Sequence, residues 1–383
     1  MKILITSDWW TPAVNGVVTS VLNLKAGLEA RGHEVRVLTL SNSIESVREG
    51  DVYRIGSLSA GRIYPGARIR TTMAHRFVRE LLDWRPDVVH SQCEFSTFFL
   101  AKKIAHRLKI PLIHTYHTVY EDYTHYFCPS RRMGRKAVAV FSDWVSARVS
   151  CMIVPTEKVR ALLESYRVES PIRVIPTGIA LDRFMSDDPP AERKSLRAQL
   201  GVPPQNLALI SVCRLAEEKN ISELLEGFAA CRELPLSLIL VGDGPSRAQL
   251  ESRAASLGLR ERVRFVGMVE PSQIARYYRA GDLFVCASTS ETQGLTYIEA
   301  LASGLPVLCR RDACIETVVT DGENGWKYDT PEQFCANVHA FAADEALRRS
   351  MASAARKSAK RFSVQAFAEA AERVYRGCLQ RER

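Results

Sequence analysis

Nowhere in the 383 residues does an apolar run approach the roughly 18 residues that a membrane-spanning helix needs. The opening stretch Met1-Lys2-Ile3-Leu4-Ile5-Thr6-Ser7-Asp8 turns polar too early for a secretory leader. Both absences lead us to expect a cytoplasmic protein, or one that sits on a membrane without crossing it. The ten cysteines contain no Cys-x-x-Cys pair and no tight cluster, so neither a disulfide framework nor a zinc module is expected. They read as reduced thiols, and Cys213 and Cys286 lie inside apolar runs as small core residues. No Asp-x-Asp pair is available to hold a divalent ion between phosphates, which favours chemistry without a metal or other cofactor. No helix-turn-helix, zinc-finger or RNP-type aromatic pattern accompanies the basic residues, so nucleic acid is not expected as a partner.

What is present is ordinary globular material: 46% hydrophobic and 25% charged residues exclude disorder as the main state. The length suits two domains. The net charge of +9 is unevenly placed, because residues 1–176 hold 25 Lys+Arg against 16 Asp+Glu while the rest of the chain is neutral. Two basic clusters lie in that first part. One runs through Arg54, Arg62, Arg68, Arg70, Arg76 and Arg79, and the other is Arg131, Arg132, Arg135 and Lys136. The second leads into Ala137–Val145, where helical spacing groups Val138, Phe141 and Val145, with Val140 and Trp144 close by. Two readings stand: a helix lying in an anionic headgroup region, or a core helix whose exposed start is basic.

Strand and helix patterns alternate along the chain. Strands are expected at Lys2–Thr6, Glu34–Leu40, Asp87–His90, Leu112–Thr115 and Cys151–Val154, with a helix at Val17–Ala30. The series restarts at Leu207–Cys213, followed by Ile221–Cys231 (helix), Leu236–Val241 (strand) and Pro245–Leu257 (helix). It continues with strands at Val263–Val266, Leu283–Cys286 and Pro306–Cys309. The fold class is therefore α/β, with two facing Rossmann-like domains and a cleft between them. Their expected spans are 1–176 and 177–361, joined near Pro176-Thr177-Gly178. A terminal segment, 362–383, carries a helix at Val364–Leu379 that packs back on the first domain. Ligands of such sheets bind beyond the strands' carboxyl ends, which favours a two-substrate transfer.

One motif is a decoy. Gly242-Asp243-Gly244 follows a strand as a dinucleotide fingerprint would, but Arg247 occupies the third glycine position, and a tight strand-to-helix turn explains the glycines. Ser290–Gly304 carries more chemistry. A helix from about Leu295 to Gly304 offers free N–H groups at its start, with Gly294 leaving room for an anion. Glu291 precedes that start and Glu299 lies one turn inside, so a docked phosphate would have a carboxylate on each side. Arg214 and Lys219 follow the strand Leu207–Cys213 and could hold a diphosphate as it leaves. In the first half, Ile110–Tyr126 is dense in His and Tyr directly after a strand. Strand alternation separates Thr115 and His117 from His114 and Tyr116, so His114-x-x-His117 is a poor metal pair.

These residues resemble the retaining GT-B glycosyltransferases of family 4, and the stretch His114–Tyr126 resembles the subgroup that glucosylates diacylglycerol. The resemblance implies transfer of glucose from UDP-glucose, as substrate, to diacylglycerol with an α-linkage. It implies that Arg214 and Lys219 grip the diphosphate, that Glu299 binds the ribose and that Glu291 binds the transferred sugar. Thr292, Gln293, Gly294 and Leu295 would supply backbone N–H groups, and Gly16 would let a loop close over the phosphates. His117 would hydrogen-bond the sugar near the reacting carbon. Tyr120, Tyr123, Arg131, Arg132, Arg135 and Lys136 would face the acceptor and an anionic membrane surface, at the inner face of the cell membrane. A GDP-mannose-dependent lipid mannosyltransferase, or a GT-B enzyme with a soluble acceptor, would share every donor residue named.

Overall fold

The computed structural model describes residues 1–13, 15–61, 66–70, 72, 74–121, 130–186 and 190–381, the side chains of 131 and 190 excepted. Internal contacts divide the chain into two compact units, Met1–Ile179 with Val364–Arg383, and Ala180–Ser363.

In the first unit the strands are β1 (Lys2–Ser7), β2 (Glu34–Leu40), β3 (Val47–Glu49), β4 (Val52–Ile55), β5 (Leu58–Ser59), β6 (Arg68–Ile69), β7 (Val88–Ser91), β8 (Leu112–Thr115), β9 (Cys151–Val154) and β10 (Ile172–Val174). The helices are α1 (Gly16–Ala30), α2 (Arg76–Trp84), α3 (Ser96–Leu108), α4 (Arg131–Ser146) and α5 (Glu157–Ser165). Eight strands form one sheet in the order β10-β9-β8-β7-β1-β2-β4-β3, parallel except for the β3–β4 pair. The sheet is covered on both faces, and β1 shows why. Ile3 and Ile5 enter one apolar cluster with Val21, Leu24 and Leu28 of α1, while Leu4 enters another with Phe98 and Leu100 of α3. A strand with both faces buried reads as a continuous apolar run, which is how Lys2–Thr6 stands in the sequence. Helix α1 starts where Asn15 Oδ1 accepts from the Val18 N–H at 2.9 Å.

In the second unit the helices are α6 (Asp182–Met185), α7 (Pro190–Gln199), α8 (Ile221–Ala230), α9 (Arg247–Ser256), α10 (Ile274–Ala280), α11 (Leu295–Ala302), α12 (Pro331–Ala343) and α13 (Glu345–Ala359). Strands β11 (Leu207–Val212), β12 (Leu236–Val241), β13 (Val263–Gly267), β14 (Leu283–Cys286), β15 (Val307–Arg310) and β16 (Gly325–Tyr328) make a parallel sheet in the order β13-β12-β11-β14-β15-β16. Gly242 shows what its motif is for. A Cβ there would lie 1.9 Å from the Cys213 carbonyl oxygen, so the glycine permits two strand-end loops to cross.

The terminal helix α14 (Val364–Arg381) belongs to the first unit and packs on α1. Phe367, Ala368, Ala371 and Tyr375 join the cluster of Ile3 and Ile5. Tyr375 OH lies 2.7 Å from His90 Nδ1, and His90 Nε2 lies 2.7 Å from Thr115 Oγ1, a polar thread through the core. Glu372 is anchored by Arg31 Nε at 2.6 Å, and that hydrogen bond leads in holding its carboxyl down at about 2. Among the described residues no helix is long and apolar enough to cross a membrane.

Candidate active site

The second sheet changes winding direction at β11, whose neighbours are β12 and β14. Loops leaving the carboxyl ends of β11 and β14 therefore meet at a topological switch point, where open α/β sheets take ligands. The β11 loop carries Arg214 and Lys219, and the β14 loop carries Glu291 through Gly294. Three contacts hold the two loops together. Ser288 Oγ and Ser290 Oγ donate to the Glu218 carbonyl at 3.5 and 3.2 Å, and Lys219 Nζ donates to Glu291 Oε1 at 2.5 Å. Burial works against the Lys219 ammonium, but the Glu291 charge and hydrogen bond more than compensate and push its pKa up. Arg214 differs: it is exposed, and no hydrogen bond or ion pair engages its side chain among the described residues.

Helix α11 starts at the end of the β14 loop without a side-chain cap. Its first turn thus keeps backbone donors available to an anion. Gly294 precedes it with φ +71°, and a Cβ there would lie 2.2 Å from the Tyr297 ring. The sequence suggests a glycine that makes room for an anion; the structure adds that this backbone and this ring require it. Thr292 is half-buried and Gln293 buried. One turn into α11, Glu299 Oε2 accepts from Tyr278 OH at 2.7 Å. Burial raises the Glu299 carboxyl to about 7, partly offset by that hydrogen bond. Both carboxylates expected to flank a phosphate thus already have partners, one a cation and one a phenol.

The first sheet reverses at β1, between β2 and β7, and a second polar group of residues gathers past the ends of β1, β7 and β8. Asp8 follows β1; Oδ1 accepts from the Thr97 N–H at 2.8 Å, at the start of α3, and Oδ2 is buried without a partner. Burial raises the Asp8 carboxyl to about 6. Glu94 follows β7, is 3% exposed, and accepts from Tyr120 OH at 2.5 Å with His114 Nε2 at 3.2 Å. His117 follows β8, with Nε2 2.8 Å from Gln92 Oε1. An amide oxygen only accepts, so His117 carries its proton on Nε2 and offers a lone pair at Nδ1. Burial lowers His117 to about 4, against the pull of Glu94, which keeps the ring neutral near pH 7.

Here the expected alternation fails. Strand β8 stops at Thr115, so His117 does not follow its period, and Glu94 bears on both His114 and His117. Asp8, Gln92 and Glu94 were not picked out in the sequence, although each is among the first polar residues beyond a strand's carboxyl end, which is the usable signal. Gly16, by contrast, is exposed as the first residue of α1.

The two basic clusters separate on inspection. Arg54 donates to the Thr11 carbonyl and to Glu49, Arg68 to Ser57, and Arg70 to the Gly56 and Thr72 carbonyls. Those three guanidiniums tie loops together. Arg62 and Tyr123 lie outside the described residues, as does the side chain of Arg131. On α4, Arg132 and Lys136 are exposed, whereas Arg135 Nε pairs with Glu121 at 3.0 Å. Helix α4 buries Val138, Ser142 and Val145. Val140 turns out to solvent, 71% exposed, rather than joining that face. It shares an open hollow of about 490 Å³ with Lys136, Ala137, Phe141 and Trp144. Phe141 stacks on Trp144 and on Phe95, with centroids 6.2 and 5.9 Å apart. Phe95, Phe99 and Met133 are 53%, 43% and 63% exposed. Tyr120 links this aromatic strip to the polar group, its ring against Phe95 and Phe141 and its OH on Glu94.

Residues 14–183 match the family Glycosyltransferase Family 4, and residues 192–358 match Glycosyl transferases group 1. The α-monoglucosyldiacylglycerol synthase of Streptococcus pneumoniae is 37% identical over 332 residues, 86% of this chain and 75% of the relative. That of Acholeplasma laidlawii is 33% identical over 387 residues, 98% of this chain and 96% of the relative. Among solved structures, Anabaena HepE in complex with UDP and glucose superposes with a TM-score of 0.76 at 18% identity, covering 98% of this chain and 100% of that one. Sheets wound in the Rossmann manner in both halves and a match along nearly the whole length leave one assignment: the chain belongs to glycosyltransferase family 4, has that family's GT-B fold, and is a hexosyltransferase akin to the α-monoglucosyldiacylglycerol synthases.

Proposed function

We propose that this protein moves glucose from UDP-glucose to the free hydroxyl of 1,2-diacylglycerol, with retention, giving α-monoglucosyldiacylglycerol at an anionic membrane surface. The observation that carries this reading is the match to the Acholeplasma synthase along 98% of the chain. In it the second unit holds the donor. Arg214 and Lys219 bind the diphosphate with the N–H groups of Thr292 to Leu295, Glu299 takes the ribose hydroxyls and Glu291 the sugar. The acceptor oxygen bonds to the anomeric carbon as the bond from that carbon to the phosphate oxygen breaks. The hydroxyl proton passes to the departing phosphate oxygen, UDP leaves, and no metal takes part. His117, neutral and with Nδ1 free to accept, holds a sugar hydroxyl near the reacting carbon.

The aromatic strip along α3 and α4, with Arg132 and Lys136 beside it, supports the membrane part of the reading. Aromatic rings and exposed basic side chains suit the headgroup region, and each cation near an anionic surface contributes about 1 kcal/mol. A charged sugar nucleotide does not cross a bilayer unaided, and anionic lipid is concentrated on the cytoplasmic leaflet, which favours the inner face.

The test is an incubation with mixed micelles of diacylglycerol and anionic lipid, offering UDP-glucose and GDP-mannose in parallel, with lipid products read by mass spectrometry. Hexosyl-diacylglycerol from UDP-glucose alone is expected. Product from GDP-mannose would replace the donor, and nucleotide release without a lipid product would replace the acceptor.

A further inference from the structure

The sequence holds no zinc-like spacing, yet the fold assembles one far from the donor residues. Cys231 closes the C-terminus of α8, and Glu233 follows in the turn that leads into the amino end of β12. Cys335 and His339 lie four residues apart on α12, hence on one face of it, and α12 packs against α8. One ligand atom from each of Glu233, Cys335 and His339 falls within 4.8 Å of the others. His339 Nε2 stands 2.6 Å from Glu233 Oε1, and Cys231 Sγ stands 3.0 Å from Cys335 Sγ.

We propose that Cys231, Glu233, Cys335 and His339 form a zinc site that staples the C-terminus of α8 to α12. Two sulfurs, one imidazole and one carboxylate are a donor set that zinc takes in four-coordinate sites. Bond lengths of about 2.3 Å to sulfur and about 2.0 Å to nitrogen and oxygen set tetrahedral edges near 3.8 and 3.3 Å. The Glu233–His339 and Cys231–Cys335 contacts each open by less than about 1 Å to admit the ion, and Cys231 Sγ, which lies outside the 4.8 Å group of the other three, swings toward them to complete the shell. Access is built in: Cys231 is buried, while the side chains of His339 and Glu233 are 45% and 53% exposed. Arg262 is the nearby cation. It donates to the Arg232 and Leu234 carbonyls and so holds the turn that carries Glu233. The site lies at the amino ends of the strands, opposite the loops that carry Arg214 and Glu291. Its role is structural, and it stands whether or not the lipid reading does.

The experiment uses the full chain, without a polyhistidine tag, under a phosphine reductant. Zinc content by mass spectrometry, competition with a zinc chelator dye, and Co²⁺ absorption are measured for the wild type and for Cys335→Ser and His339→Ala. Expected are one tight Zn²⁺ per chain and a tetrahedral Co²⁺ spectrum with a thiolate charge-transfer band. Both variants should bind at least tenfold more weakly while keeping the wild-type circular dichroism. Removal of zinc should lower the Tm of the wild type and not that of His339→Ala. Absence of tight binding, or undiminished binding in either variant, overturns the proposal. So does a Cys231–Cys335 disulfide that forms in air while the reduced chain takes no metal.

Discussion

Lys219 and Glu291 form an ion pair across the two strand-end loops of the second unit, Nζ to Oε1 at 2.5 Å with side chains about one-fifth exposed. Each is the other's partner before any ligand arrives, so removing either leaves a poorly hydrated charge. Glu291→Ala frees Lys219 for a diphosphate. We expect that variant to bind UDP within threefold of the wild type, or more tightly, while turnover falls at least a hundredfold. Lys219→Ala should weaken UDP at least tenfold. Calorimetry with UDP beside turnover measurements checks both, and full activity in Glu291→Ala would remove that residue from the site.

Glu299 links donor binding to pH. Its carboxyl is raised to about 7 in the folded chain by burial, above its ordinary value of 4.5. The sign follows: stability from the neutral carboxyl is complete below about 4.5 and is lost as pH rises through 7, where a buried carboxylate must be carried. Glu299→Gln removes that penalty. Its Tm relative to wild type should improve between about pH 5 and pH 8. Its donor KM should meanwhile rise about tenfold, since the amide offers one acceptor oxygen to two ribose hydroxyls. Calorimetric scans at both pH values, with donor titrations, test the pairing.

How much of this was legible in the sequence depends on range. Strand β1, buried on both faces, and helix α1, capped by Asn15, announce themselves through local apolar runs and a local side-chain bond. The α11 site was readable because Gly294, Glu291 and Glu299 lie within ten residues of one another. What was missed is non-local. Asp8 earns meaning only when β1 places it at the start of α3, 89 residues on. Arg54, Arg68 and Arg70 read as a basic patch because a sequence does not show which carbonyls a guanidinium will find. The exposure of Val140 was not legible for a different reason, since helical periodicity groups side chains but does not say how wide the buried stripe is.

His117 and Gln92 act as a unit. Gln92 Oε1, 2.8 Å from Nε2, fixes the tautomer that leaves Nδ1 as an acceptor, while burial keeps the ring neutral. His117→Ala should cut kcat about a hundredfold or more, in the range of a lost positioned hydrogen-bonding group. Gln92→Leu leaves the imidazole in place but releases its orientation. A drop of about tenfold in kcat, with donor KM nearly unchanged, is expected from steady-state kinetics. Equal losses in both variants would mean that Gln92 touches substrate itself.

The α4 surface separates charge from apolar insertion. Arg132 and Lys136 are exposed beside the aromatic strip, and Arg135 is engaged by Glu121, so among the described side chains of α4 the first two count as free cations for a surface. At about 1 kcal/mol each, replacing both by alanine should weaken partitioning onto phosphatidylglycerol vesicles by roughly thirtyfold, and the deficit should shrink with salt. Val140→Asp tests the other component. The side chain is 71% exposed, so the substitution costs the fold little, yet it puts a carboxylate where the reading places lipid. Vesicle sedimentation should show binding lost in Val140→Asp with an unchanged Tm and unchanged UDP affinity. Unimpaired sedimentation of both variants would move the membrane contact away from α4.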